Sequence, residues 1–105
     1  MLSHDIRARI HDAVQRDGRS MRAISLAAGL NQHFVAQLLS TGREPGVGQF
    51  LALCEELGVT VGSIIFGVDV TPKQEELARK ILSLSDDSVR LIEEMVQKLA
   101  PPERQ

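Results

Sequence analysis

The sequence predicts an all-α protein, with five short helices over residues 1–68 and a two-helix tail over residues 69–105. Three observations carry that expectation. Apolar residues recur at three- and four-residue spacing in successive short segments. Ser, Thr or Asn heads most of those segments, where a side-chain oxygen can accept an otherwise unpaired first-turn N–H. Glycine or proline stands at their ends, where the chain must leave the helix. A length of 105 residues favours one core with an appended tail.

Each element can be justified in turn. Ser3 caps a first helix over about His4 to Arg16, with Ile6, Ile10, Ala13 and Val14 along one face, and Asp17-Gly18 ends it. Ser20 caps a second helix with Met21, Ile24, Leu26, Ala27 and Ala28 as its apolar content. Ser25 is small enough within it for close helix approach, and Gly29 supplies the left-handed residue for a sharp turn. Asn31 caps a third helix over about residues 32–40, whose inward contacts are Leu30, Phe34, Val35 and Leu38. That spacing leaves Gln32, His33, Ala36 and Gln37 on one outward face.

Thr41 to Gly46 reads as a loop. Val47 to Leu57 is a fourth helix burying Phe50, Leu51, Cys54 and Leu57, with Gly58 at its end. Thr60 caps a fifth, in which Val61, Ile64, Ile65 and Phe66 close the core before Gly67. Thr71, Pro72 and Gln74 have the spacing of a capping box with proline at the first helical position. They open a sixth helix striped by Leu77, Ala78, Ile81 and Leu82. Ser85 starts a seventh, with Asp86 and Asp87 in the first turn and Val89, Ile92, Met95, Val96 and Leu99 as its stripe. The two tail helices have too little apolar area to stand alone, so they pack on the domain, on a second copy, or on both.

A short helix, a glycine turn and a second helix with glutamines outward is the layout of a helix-turn-helix reader of duplex DNA. The run Ser20-Met-Arg-Ala-Ile-Ser-Leu-Ala-Ala-Gly-Leu30, continuing through Leu38 and then Gln49 to Phe66, resembles the phage-repressor/Cro-like (xenobiotic-response-element type) helix-turn-helix family. The resemblance covers roughly residues 20–66 and rests on consecutive elements in the right order. It implies a repressor-like five-helix domain that binds paired half-sites as a homodimer. It also implies base contacts from Gln32, His33, Ala36 and Gln37, and phosphate contacts from Ser20, Arg22, Asn31 and Arg43. The chemistry is apt: Gln donates and accepts together against adenine, His donates to guanine, and Ala meets a thymine methyl. The tail stripe of Val89, Ile92, Met95, Val96 and Leu99 is the expected dimerisation element. Two departures matter. Met21 stands where some relatives carry a phosphate-binding glutamine, and the stretch Leu38 to Gly42 is one residue longer than usual, which moves Arg43.

Charge and composition bound the alternatives. The net charge is −2, yet residues 1–68 carry six basic and six acidic groups, and residues 69–105 six and eight. Between Gly18 and Arg43 there are three arginines and no acid. The absence of Trp and Tyr disfavours stacking on single-stranded bases. The single cysteine, Cys54, suits a reducing compartment and reads as a small buried hydrophobe. No segment has the ~20 apolar residues of a membrane span, and Met1 to Ser20 lacks a signal peptide's apolar centre, so a cytoplasmic protein is expected. His4 and His11 share a helix face, but nothing near them completes a metal site, and they are expected as exposed helix histidines. No nucleophile–base pair or paired carboxylates appear, so neither enzyme activity nor a cofactor is expected. Two other readings keep the fold: an antitoxin-type autoregulator that also binds a toxin protein, and a helical interaction module that binds no DNA.

Overall fold

The computed structural model describes residues 4–40 and 44–83. Those residues form six α-helices and no β-strand: α1 (His4–Asp17), α2 (Met21–Ala27), α3 (Phe34–Ser40), α4 (Val47–Leu57), α5 (Val61–Phe66) and α6 (Pro72–Ser83). The Ser3 cap, Thr41 to Arg43, and the seventh helix with Val89, Ile92, Met95, Val96 and Leu99 lie outside the described residues. No helix among the described residues is long and apolar enough to cross a membrane.

The helices start where the caps dictate. The Ser20 hydroxyl accepts Ala23 N–H at 3.0 Å and the Thr60 hydroxyl accepts Ser63 N–H at 3.1 Å. Thr71 and Gln74 complete the capping box at the head of α6, with Gln74 N–H donating to Thr71 Oγ1 (3.1 Å) and Thr71 N–H to Gln74 Oε1 (2.9 Å). These bonds satisfy amides that an isolated helix end leaves unpaired.

One apolar cluster joins all six helices. It contains Ile6, Ile10 and Val14 of α1, Ile24 of α2, and Phe34, Val35 and Leu38 of α3. Phe50, Leu53 and Cys54 of α4, Val61, Ile64 and Ile65 of α5, and Ala78 and Leu82 of α6 complete it. Three expectations about this core need correction. Leu53 is buried while Leu51 and Leu57 are only half-covered: Leu51 is rotated about 100° from buried Phe50, whereas Leu57 shares the stripe of Phe50, Leu53 and Cys54 but is the last residue of α4. Phe66 is 42% exposed and Leu77 59% exposed. Each lies one residue, a rotation of about 100°, from a buried neighbour (Ile65, Ala78), which carries it off the inward stripe.

The first helix of the tail is built into the same core. Leu82 is fully buried, and the Glu75 carboxylate accepts the Val61 and Gly62 N–H groups at 2.9 Å each. A carboxylate there satisfies first-turn donors of α5 and meets the positive end of its dipole. Arg79 Nε donates to the same carboxylate at 3.0 Å. At the other end of α5, Arg9 of α1 donates to the Ile64 and Ile65 carbonyls at 2.8 and 2.9 Å. Both ends of this one-turn helix are therefore held by long-range side chains. Gly67 leaves it at φ 81°, and a Cβ there would come within 2.7 Å of the Arg9 guanidinium.

Candidate nucleic-acid interface

The segment from Ser20 to Ser40 is organised by one buried hydroxyl. Ser25, fully buried in α2, donates to Met21 O at 2.7 Å and accepts Val35 N–H at 3.1 Å. Val35 lies in the first turn of α3, where backbone N–H groups lack helical partners. Ser25 therefore caps α3 from across the interface and fixes how the two helices meet. Gly29, at φ 79°, turns the chain between them, and Leu30 N–H bonds back to Ser25 O at 2.9 Å.

Asn31 is the hinge into α3. Its Oδ1 accepts His33 N–H at 2.8 Å and its carbonyl accepts Phe34 N–H at 2.9 Å. Regular helix consequently begins at Phe34, and Gln32 and His33 occupy the entering turn rather than the helix itself. That shifts the expected start near residue 32 by about half a turn. At the far end α3 runs to Ser40, whose hydroxyl donates to Ala36 O at 2.6 Å.

Phe34, Val35 and Leu38 are completely buried, which fixes the rotation of α3. Gln32, His33 and Gln37 are exposed and Ala36 is half-covered, as the apolar stripe requires. The Gln32 amide nitrogen lies 3.3 Å from His33 Nε2, so the two side chains are neighbours. Gln32, His33 and Gln37 bring hydrogen-bonding groups of both kinds to the surface.

The expected phosphate-binding residues divide into three situations. Arg22 is exposed on α2 and bonds no carboxylate among the described residues, and Ser20 is exposed with its oxygen engaged as a cap. Asn31 is exposed, but its Oδ1 is committed to the turn. Arg43 lies outside the described residues. Arg19, which the charge count put among the positive groups here, is instead tied to Asp17 (2.8 and 3.0 Å) and to Glu56 (2.8 Å). Those bonds hold its guanidinium charged well beyond its ordinary range and push the Asp17 carboxyl below its own. Arg16 is likewise paired with Asp12 at 2.7 Å. No acidic residue occurs from Gly18 to Ser40, so no carboxylate belongs to either α2 or α3.

The helical pattern did not reveal a second feature, where α1 meets the last turn of α3. His4, Arg7, Ala8 and His11 of α1 line a cleft with Leu39 of α3. The spacing of the two histidines was legible; their apposition to the last turn of α3 was not, because it depends on how α1 crosses α3. Cys54 is buried with its thiol pushed up to about 12, chiefly by burial and next by the Glu75 charge, which makes it a poor nucleophile. Comparison with models of known protein families, with curated proteins and with solved structures finds no match for this chain.

Proposed function

We propose that this chain is a sequence-specific reader of double-stranded DNA of the helix-turn-helix type, acting as a homodimeric transcriptional repressor. The single observation that carries the reading is the outer edge of α3. Complete burial of Phe34, Val35 and Leu38 turns Gln37 outward, and Gln32 and His33 are exposed in the turn that enters α3, in a segment with no carboxylate between Gly18 and Ser40. Glutamine at such positions can bond both edges of adenine in the major groove, and half-covered Ala36 offers a methyl surface for thymine. Arg22 and the Ser20 hydroxyl supply positioning contacts to the backbone, which carry affinity without sequence information.

A domain with so few phosphate contacts gains most by pairing, since a two-fold mate doubles them and adds a second half-site. Val89, Ile92, Met95, Val96 and Leu99 supply the pairing surface in this proposal.

Selection of bound duplexes from a random pool tests the reading directly. A single enriched, approximately palindromic sequence is the expected outcome; no enrichment at low salt favours a helical interaction module instead. On the selected duplex, Gln37→Ala costs about 1–3 kcal/mol of discrimination against a changed base. Equal losses on selected and random DNA would show that Gln37 reads no base.

A further inference from the structure

The two sides of α1 carry different charge. Toward α5 it presents Asp5, Arg9, Asp12 and Arg16 to a shallow groove, with Arg9 bound to carbonyls and Arg16 paired to Asp12. Toward α3 it presents His4, Arg7 and His11, the i, i+3 and i+7 positions of one face. With Ala8 and Leu39 these line a cleft of ≈270 Å³, and no carboxylate is among the described residues lining it. Leu39 belongs to the last turn of α3, so the cleft continues from the end of the helix that bears Gln37.

We propose that the His4–Arg7–His11 face of α1 is a further contact for the phosphate backbone of the duplex, one that strengthens as pH falls. The proposal rests on the reading of α3 as the groove-entering helix. Both histidines are exposed, and seven residues of helix set them about 10 Å apart along the axis. That is about the axial rise of three nucleotides on one strand. A neutral imidazole offers a phosphate one N–H donor; a protonated one offers two and a full charge.

On α1 the neighbouring charges are Arg7 between the rings, and Asp5 and Asp12, which line the groove on the α5 side. The helices α3 and α5 contain no charged residue. On α4 the acids are Glu55 and Glu56; neither lines the cleft, and Glu56 is bonded to Arg19. Glu44, ahead of α4, does not line it either.

The test compares the full chain with His4→Ala/His11→Ala and His4→Arg/His11→Arg double variants, by fluorescence anisotropy on the selected duplex at fixed salt. Between about pH 8 and about pH 6 the parent chain is expected to bind about tenfold tighter. The alanine pair, with His33 intact, should gain less than about threefold over the same interval. The arginine pair should bind at the higher pH as tightly as the parent does at the lower. Helicity by circular dichroism should be the same for all three, since both side chains are exposed. An undiminished pH response in the alanine pair, or no tightening in the arginine pair, overturns this contact while leaving the reading of α3 standing. Failure of the parent chain to bind any duplex at either pH removes both.

Discussion

At the scale of single residues, the decisive groups are those whose polar atoms have one place to go. Ser25 Oγ is buried and joins Met21 O to Val35 N–H. Ser25→Ala leaves that amide buried and unsatisfied, a loss of about 1–3 kcal/mol, to be read from urea unfolding. Because the same bond orients α3, the variant should also weaken duplex binding while remaining folded. Gly29 and Gly67 separate two kinds of glycine requirement. Both have positive φ, but a Cβ on Gly29 meets nothing within 4 Å, whereas on Gly67 it meets Arg9. Gly29→Ala therefore costs only the left-handed backbone penalty of about 1–2 kcal/mol. Gly67→Ala costs more, since Arg9 must leave the carbonyls it caps. Equal unfolding midpoints for the two variants would refute that ordering. Cys54, with its thiol pushed up to about 12, should react with Ellman's reagent only as the protein unfolds.

At the scale of elements, helix boundaries were legible because they are written locally, while the fasteners between helices were not. Val47–Leu57 and the Thr60 and Thr71 caps lie where the sequence puts them, each set by residues three positions apart. Leu51, Phe66 and Leu77 are less covered than the apolar pattern predicts because neighbouring residues on a helix differ only by rotation, and the tertiary partner decides which one turns inward. The outward face of α3 was readable as the complement of its apolar stripe. Ser25 to Val35, Glu75 to Val61, and Arg9 to Ile64 span 10, 14 and 55 residues, and no periodicity records them. The Glu75 clamp has a consequence for acid stability. Partial burial would raise its carboxyl, but the Gly62 and Val61 N–H groups together with Arg79 outweigh that and hold it below its ordinary 4.5. The folded-state value is the lower one, so the stabilisation is complete above the unfolded value and is lost as pH falls through the folded one. Glu75→Gln is thus expected to be less stable than the parent chain at neutral pH, with the gap closing on acidification below about 4.5. A gap in urea midpoint that stays constant into acid would mean the carboxylate charge is not what fastens α6.

At the scale of the whole molecule, the question is where the domain ends and its pairing surface begins. The composition shift after residue 68 suggests a cut there, but the packing argues for a later one. Ala78 and Leu82 belong to the common core, and Glu75 holds the start of α5. Removing everything after Gly67 would expose the apolar sites those residues cover and strip two amides of their acceptor, so any loss of pairing would be confounded with loss of fold. A chain ending at Ser83 keeps every residue of that core. If Val89, Ile92, Met95, Val96 and Leu99 pair two copies, residues 1–83 should sediment as a folded monomer where residues 1–105 sediment as a dimer. The shortened chain should then bind the selected duplex with a shallower salt dependence, because one copy neutralises half as many phosphates. A dimer of residues 1–83 would shift the pairing surface onto the described helices. Leu77 at 59%, Val68 at 63% and Phe66 at 42% exposure are the apolar side chains there with the most uncovered area to offer, apart from Leu26 on α2.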